Sequence, residues 1–205
     1  MPKIVDPRAR RRDVAEATLR VVARSGLEAA SLRNVAEEAG LAVGSVRHYF
    51  SDHDELVVFA MRHLVDRIDR RVRAHIDHLG TPEPDGDLRA RAEELLGEFL
   101  PLDATRHEEA VLWIALATAA RIRPGLRPCA VELQENALTL MGHVLRGAQT
   151  AGGLPAGLDP GTESRRLAAL IDGLTFQAVL QPDRYPPKEL RRLLRHHLET
   201  LRERA

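Results

Sequence analysis

Residues 31–56, SLRNVAEEAGLAVGSVRHYFSDHDEL, contain the pattern that is most informative about the fold. Its first part predicts a short helix over 32–39 with one apolar face, and Gly40 stands where a helix ends in a left-handed residue. A second short helix is predicted from about Val43. Its packed face is expected to hold Val43, Val46, Tyr49 and Phe50. Two short helices joined by a glycine turn are typical of a helix-turn-helix, whose second helix enters the DNA major groove.

The other face of the second helix has residue types that suit contact with DNA. Gly44 and Ser45 are small enough to allow close approach to a phosphate or a base edge, and Val43 suits a thymine methyl group. Three hydrogen-bond donors suited to phosphates or bases follow: Arg47, His48 and Tyr49. An ordinary helical hairpin with a solvated polar face is the alternative. Ser51 and Asp54 predict a cap that starts a new helix directly after Phe50.

The run VAEEAGLAVGSVRHYFSDHDEL resembles the signature of the TetR (tetracycline-repressor) family of bacterial transcription regulators. The resemblance is close over residues 1–50 and concerns only the helical layout beyond them. It implies that Ser31 occupies a position where members often contact a phosphate through Thr. Arg47 stands where many members have an aromatic residue, and His53 where most have a phosphate-contacting Lys; histidine is largely neutral near pH 7. The expected DNA-contacting residues are Ser31, Arg33, Ala42, Val43, Gly44, Ser45, Arg47, His48, Tyr49 and His53.

Charge and composition agree with a DNA-binding N-terminal region on a non-basic body. Residues 1–50 hold three more basic than acidic side chains, and residues 51–205 hold three more acidic than basic ones. Four basic residues cluster near the start and indicate either a solvated helix end or an arm that meets the DNA backbone: Arg8, Arg10, Arg11 and Arg12. The single cysteine, Cys129, fits a reducing compartment. With no signal peptide and no apolar run long enough to span a bilayer, we expect a cytoplasmic protein without a membrane partner.

The rest of the chain also has helical patterns. Helix one is predicted over 8–25, and helix four from Ser51 to about 79, a rod of roughly 40 Å at 1.5 Å per residue. Further helices are predicted over 88–100, 105–122, 124–150, 162–180 and 187–203. The sequence therefore predicts an all-α protein of about nine helices. Residues 1–50 would form a three-helix, helix-turn-helix DNA-binding domain, and residues 51–205 a ligand-binding and dimerisation domain.

The last two helices are the candidates for self-association. The predicted apolar stripe of the eighth helix consists of Leu167, Leu170, Ile171, Leu174 and Ala178. Two such helices from each of two subunits would make a four-helix bundle, although they could also pack within one chain. A dimer would present two recognition helices to the halves of a palindrome. Trp113 and the segment DGLTFQAVLQPDRYPPKEL resemble the TetR subgroup with a BetI-type C-terminal domain, which implies this homodimer.

The family resemblance also implies an inducer pocket between helices four to eight. The candidate lining residues are Phe99, His107, Trp113, Met141, His143, Phe176 and Gln177. Core packing is the competing role for each of them. Aromatic residues make up only 3% of the chain, and a quaternary ammonium such as choline needs an aromatic cage. We therefore expect an apolar or weakly polar effector.

Motifs for catalysis are missing from the sequence. His75 and His78 lie one helical turn apart, but no cysteine or carboxylate arrangement completes a metal site around them. The sequence has no nucleophile motif, phosphate-binding glycine loop or dinucleotide motif, so no enzyme activity, metal or cofactor is predicted. The predicted function is a ligand-responsive regulator, most simply a repressor that binds a palindromic operator as a homodimer and is released by a small molecule. The alternative is a helical small-molecule carrier or interaction module without DNA readout.

Overall fold

The computed structural model describes residues 6–79 and 88–203. Within these ranges the chain forms nine α-helices, one short 3₁₀ helix at Leu27–Ala29 and no strand, which confirms the predicted all-α fold. The helices are α1 Pro7–Ser25, α2 Leu32–Glu38, α3 Val43–Tyr49, α4 His53–Leu79, α5 Leu88–Gly97, α6 Ala104–Ala120, α7 Arg127–Thr150, α8 Pro160–Leu180 and α9 Pro187–Arg202. None of the described helices is both long and apolar enough to cross a membrane.

The turn between α2 and α3 has the predicted glycine geometry. Gly40 has a φ of 64°, a left-handed conformation that favours glycine. The Leu41 N–H donates to the Ala36 carbonyl at 2.8 Å, and the Gly40 N–H donates to the Glu37 carbonyl at 3.1 Å. This pair of bonds is a Schellman motif, which satisfies the last carbonyls of α2 and fixes the direction in which α3 leaves.

The cap at the start of α4 differs from the prediction of Ser51 with Asp54. Asp52 Oδ1 accepts the Glu55 N–H at 2.8 Å, and the Glu55 carboxylate accepts the Ser51 N–H at 2.7 Å. Asp52 is therefore the N-cap of α4, one residue beyond the predicted Ser51, and the Glu55 side chain satisfies the N–H of the residue before the cap. Asp54 is left available for a contact outside the helix, which is described below.

The starts of α6 and α8 are likewise set by carboxylates that precede the predicted boundaries. Asp103 Oδ1 accepts the Arg106 N–H at 2.8 Å, so Asp103 caps α6, which begins at Ala104, one residue before the predicted start at 105. Asp159 caps α8, which begins at Pro160. Proline is well suited to the first position of a helix because that position needs no N–H donor.

The chain divides into two compact units that do not follow a simple N-terminal and C-terminal split. The first unit comprises Met1–Arg67 and Val111–Val131, and the second comprises Ile68–Ala110 and Glu132–Ala205. The helices α4, α6 and α7 each run from one unit into the other. The predicted domain boundary between residues 50 and 51 stays a prediction.

The core of the second unit explains the apolar stripe that the sequence shows on α8. The core residues come from α5 and the turn after it, from α7, and from α8 and α9; they are Leu96, Leu100, Leu102, Met141, Leu167, Ala168, Ile171, Leu174, Ala178, Leu190 and Leu194. The stripe thus packs largely within the chain, which was the alternative to a role in dimerisation. A different face of α8 is exposed, and it carries Phe176 and Leu180.

Candidate DNA-binding face and ligand cavity

Helix α3 buries one face and exposes the face that was predicted to meet DNA. Val46 is fully buried, and Phe50, directly after the helix, is 1% exposed. These two anchors orient the helix, so that four residues of the predicted set are exposed: Gly44, Ser45, Arg47 and His48. Val43 and Tyr49 are half-buried at the edges of this face. This exposed face offers hydrogen-bond donors from Arg47 and His48, the hydroxyl of Ser45, and little steric bulk at Gly44.

Gly44 is not required by the packing of the protein itself. A Cβ atom built at this position would meet nothing within 4 Å, and Gly44 does not have a positive φ. Glycine in a helix costs up to about 1 kcal/mol relative to alanine. The packing of the protein does not need a glycine at this exposed position of α3. A glycine here would allow the backbone of a binding partner to approach α3 closely.

Residues of α2 and its cap complete the predicted face. The Ser31 Oγ accepts the Asn34 N–H at 3.1 Å and so caps α2, while its own hydroxyl hydrogen can still be donated. Arg33 and Ala42 are both exposed. The contribution of each of these residues to DNA binding stays a prediction.

Ion pairs between α1 and α2 hold the helix-turn-helix in place. Glu38 accepts hydrogen bonds from Arg20 at 2.8 Å and from Arg24 at 3.0 Å. The hydrogen bond from Arg20, followed by that from Arg24, lowers the pKa of the Glu38 carboxyl below its ordinary value. These arginines therefore serve the fold, although they add to the positive charge of the N-terminal region.

Arg11, one member of the basic cluster near the start, faces inward. Its Cζ lies 5.3 Å from the ring centroid of Phe50 and 4.9 Å from that of Phe59. A guanidinium over aromatic faces is a favourable cation–π contact. Arg11 thus anchors α1, whereas Arg8 and Arg12 are exposed.

His53 is held inside the first unit by Arg123, a residue of the turn between α6 and α7. Arg123 Nη1 donates to His53 Nδ1 at 2.8 Å and lies 3.2 Å from Asp54 Oδ1, while its Nη2 donates to Glu28 at 2.6 Å. His53 Nε2 lies 3.0 Å from the Leu27 carbonyl oxygen. Because Nδ1 accepts from Arg123, the neutral tautomer with hydrogen on Nε2 fits this geometry. Both ring nitrogens are therefore used within the protein. We call Arg123, His53, Asp54 and Glu28 the Arg123 cluster.

The turn that carries Arg123 lies very close to the start of α4. A Cβ atom at Gly125 would stand 2.6 Å from Asp54 Oδ2 and 3.4 Å from Asp54 Cβ, so any side chain at this position would require the Asp54 carboxylate to move. Sequence reasoning missed the cluster because Arg123 and Glu28 are 95 residues apart. No local pattern links residues at that separation.

A cavity of about 910 Å³ lies in the second unit. Residues of α4, α5, α7, the turn after α7, and α9 line it, and most of them are aliphatic or glycine. The charged or titratable side chains among the described lining residues are Arg89, His143, Glu199 and Arg202. Arg89 donates a hydrogen bond to Glu199. The volume lies in the usual range for small-molecule sites.

The predicted ligand-binding residues are distributed over several places. His143 lines the cavity, and the other six are not among its described lining residues. Met141 is buried in the core of the second unit with Phe99 packed against that core, and Phe176 is 50% exposed. His107, Trp113 and Gln177 are half-buried. The roles of all seven in ligand binding stay predictions.

An ionic network with buried carboxylates surrounds Arg71 of α4 in the second unit. Arg71 donates two hydrogen bonds to Glu109, at 2.9 and 2.6 Å, and one to Glu98 at 2.8 Å. Glu98 also accepts from Arg106 at 3.0 Å and lies 3.2 Å from His75 Nε2. Burial opposes ionisation of Glu98, but the bonds from Arg71 and its neighbours leave its pKa lowered. His75 is thus engaged by a carboxylate, and the side chain of His78 lies outside the described residues.

Comparison with known proteins assigns the chain to a family. Residues 14–58 match the pattern of bacterial regulatory proteins of the tetR family, and residues 88–203 match the C-terminal domain of BetI-type transcriptional repressors. The chain belongs to the TetR family. The second match alone covers more than half of the sequence.

Individual relatives agree with this assignment. The chain is 31% identical to the HTH-type transcriptional regulator PksA of Bacillus subtilis over 201 residues, which are 98% of this chain and 94% of that protein. A solved transcriptional regulator from Rhodococcus sp. Rha1 is 32% identical, with a TM-score of 0.79 over 93% of this chain and 95% of its own. A regulator from Saccharomonospora viridis, solved in complex with choline, is 23% identical and shares the fold, with a TM-score of 0.82 over 95% of this chain and 97% of its own.

The family assignment confirms the predictions of a DNA-binding, helix-turn-helix transcriptional regulator. The relatives are regulators and not enzymes, so the prediction that the chain is not an enzyme is also confirmed. That the exposed face of α3 is the part that reads DNA stays a prediction.

Proposed function

We propose that this TetR-family protein is a cytoplasmic repressor that binds a palindromic operator as a homodimer and leaves it when a small molecule binds the second unit. The exposed face of α3 is the observation that carries the proposal. It combines free donors with a glycine that the protein's own packing does not need. Phosphate contacts would position the dimer, and base contacts would select the operator.

Roles on this face follow from exposure and chemistry. Arg47 and His48 supply the main contacts to the DNA backbone, since both are exposed donors at the end of α3. Gly44 and Ser45 permit close approach, and Val43 contacts a thymine methyl group. His53 contributes indirectly by holding the start of α4, because its two ring nitrogens already bond within the protein.

The exposed face of α8 supports a homodimer. Phe176 is 50% exposed and Leu180 is 62% exposed, and Ala169 and Gly173 continue the same face toward the start of the helix. A Cβ atom at Gly173 would meet nothing within 4 Å, so a second helix could approach closely there. An apolar stripe of this kind suits a two-fold interface in which the same surface is used twice. We assign this interface to 162–180 together with 187–203.

Coupling between ligand and DNA requires elements that run through both units. The helices α4, α6 and α7 do so, and the Arg123 cluster links the α6–α7 turn to the start of α4 within the first unit. A ligand that binds better to a state unable to read DNA shifts the population toward that state. In this proposal, movement of the α6–α7 turn is passed to α4 through Arg123.

The test is operator binding by the purified full-length protein over a salt series. Fluorescence anisotropy would compare DNA flanking its own coding region with scrambled DNA. We expect selective, salt-sensitive binding, and Arg47→Ala should weaken binding to all sequences and reduce the salt slope by about 1. Arg73→Ala is the matched control, because Arg73 is an exposed arginine that pairs with Asp69 on α4 in the second unit.

Two outcomes would contradict the proposal. Equal and weak binding to both DNAs would argue against operator recognition, and an unchanged affinity of Arg47→Ala would remove that residue from the contacts. The dimer is tested separately by sedimentation of Phe176→Asp. This variant should be monomeric at concentrations where the wild type is dimeric, and a dimeric Phe176→Asp would exclude the α8 interface.

A further inference from the structure

We infer that the cavity of the second unit binds an aliphatic molecule with one anionic head group. The inference rests on the proposed function, because it names the chemical class of effector that the regulator senses. It is argued from the walls of the cavity, from the backbone donors around it and from the balance of charge in its lining.

The walls suit an aliphatic chain. Apart from four titratable side chains, the described lining residues are all aliphatic or glycine, and Leu95 and Leu145 are among the most buried. The imidazole of His143 is the one ring among these lining residues, and they include no hydroxyl or carboxamide side chain. An aromatic or polyhydroxylated ligand would therefore lack partners, whereas a hydrocarbon chain is favoured by burial in such walls.

The backbone of the turn after α7 offers few donors to a ligand. The N–H groups of Ala151, Gly152 and Gly153 already donate to carbonyls at the end of α7, at 3.0, 3.0 and 2.9 Å. Gly152 has a φ of 76°, so the turn is a glycine-terminated helix end with its bonds closed. Recognition of a polar head group is consequently left to side chains.

Those side chains carry an excess of positive charge. Glu199 is neutralised by its ion pair with Arg89. Arg202 lies one helical turn beyond Glu199 on α9, is exposed, and has no ion pair with any residue of the described ranges. Its guanidinium can form the paired hydrogen bonds that carboxylates and phosphates accept, and His143 adds a further donor from α7.

The same features disfavour a quaternary ammonium ligand. Such ligands are held by several aromatic faces, and the described lining provides no phenylalanine, tyrosine or tryptophan. A fixed positive charge would also be repelled by Arg202. A protein with the same fold was solved with choline. The lining of the cavity in this chain carries Arg202 and therefore favours an anion over a cation.

Isothermal titration calorimetry of the full-length protein tests the inference with three 12-carbon probes, each kept below its micelle-forming concentration. Dodecanoate is the anionic probe, dodecanol the neutral one and dodecyltrimethylammonium the cationic one. We expect dodecanoate to bind most tightly. Arg202→Gln should weaken dodecanoate binding about tenfold, the lower end of the effect of a charge-assisted hydrogen bond.

Two further variants distinguish binding in the cavity from nonspecific effects of protein charge and of surfactant. Arg146→Gln removes an exposed charge from α7 outside the lining and should leave binding unchanged. Ala148→Phe fills the cavity from the same helix and should abolish binding of dodecanoate while circular dichroism stays helical. Equal binding of the three probes, no binding of dodecanoate, or an unaltered affinity of Arg202→Gln would each overturn the inference. Operator binding measured without any probe reports on the proposed function independently of these results.

Discussion

The two halves of α4 are each held by one arginine, but the surroundings of the two arginines differ. In the first unit, Arg123 reaches the start of α4 from the α6–α7 turn, and its partner Glu28 is 74% exposed. In the second unit, Arg71 projects from α4 itself onto Glu109, which is only 5% exposed, and Glu98, which is 9% exposed. The two arginines are similarly exposed, Arg123 at 27% and Arg71 at 32%, so the difference lies in their carboxylate partners, which are solvent-accessible around Arg123 and buried around Arg71.

This difference indicates which end of α4 can change its position at low cost in free energy. Exposed ion pairs contribute about 0–1 kcal/mol and are screened by salt, so the Arg123 cluster can rearrange at little cost. Removing one partner of a buried ion pair costs roughly 3–5 kcal/mol, because the remaining charge is left unpaired. We therefore expect the second half of α4 to be fixed in its unit and the start of α4 to respond to movement of the α6–α7 turn.

The largest effect is expected from Arg71→Met. The substitution removes three charge-assisted hydrogen bonds to carboxylates that are only 5% and 9% exposed, so the free energy of unfolding should fall by roughly 3 kcal/mol, as measured by urea denaturation. The matched control is Arg73→Met, because Arg73 makes an exposed pair on the same helix. It should change stability by less than about 0.5 kcal/mol. Equal losses in the two variants would remove the distinction between the buried and exposed clusters.

Glu98→Gln should give a smaller loss that depends on pH. The pKa of Glu98 is lowered in the folded state from its ordinary value of 4.5, so its ionised form stabilises the protein above that pH. This contribution is lost as the pH falls through the folded-state pKa. At pH 7 the variant should be less stable by about 2 kcal/mol, the scale of a hydrogen bond to a charged group. The difference from wild type should shrink in urea titrations at progressively lower pH below 4.5; a constant difference would argue against this role.

Gly125→Val tests the close approach of the turn to α4. The new Cβ would displace the Asp54 carboxylate, and we expect a loss of about 1 kcal/mol together with weaker operator binding. Gly157→Val is the control, since a Cβ atom at that position would meet nothing within 4 Å. Thermal unfolding and anisotropy on the same samples measure both effects. An unaltered Gly125→Val protein would show that the turn does not position α4.

The smallest change in stability is expected from Arg123→Gln. The global loss should be below about 1 kcal/mol, because the guanidinium is partly exposed and its partners are solvated. Amide hydrogen exchange should nevertheless become about tenfold faster at residues 54–57, while amides at 68–76 keep their rates. Equal acceleration in the two segments, or no acceleration in either, would contradict the expectation that only the start of α4 responds to the α6–α7 turn.

Local patterns were sufficient to predict most of the fold. The left-handed turn at Gly40 and the buried Val46 and Phe50 follow from helical periodicity and glycine chemistry, and both signals lie within a few residues. The capping residues were harder to predict, because neighbouring side chains compete to accept the same backbone N–H groups at the start of a helix. Asp52 therefore replaced the predicted Ser51 at the start of α4.

Features that depend on distant residues could not be predicted in this way. Periodicity shows that α8 has an apolar stripe but not whether the chain or a partner covers it; Leu167 and Leu174 proved to be core, whereas Phe176 is exposed. The cavity includes Glu199 and Arg202, which sequence reasoning had assigned to a dimerisation helix. Arg123 carried no local signal at all, since its partners lie 69 to 95 residues away.

Operator recognition by a homodimer can be measured by selecting bound sequences from a pool of random duplex DNA with the purified wild-type protein. Two α3 helices related by a two-fold axis predict enrichment of an inverted repeat whose half-sites are centred about one helical turn of DNA apart, or a multiple of it. The same selection with Arg47→Ala should enrich that repeat less strongly. Recovery of no shared sequence, or of a single unrepeated half-site, would contradict the account of a homodimeric repressor that reads its operator through α3.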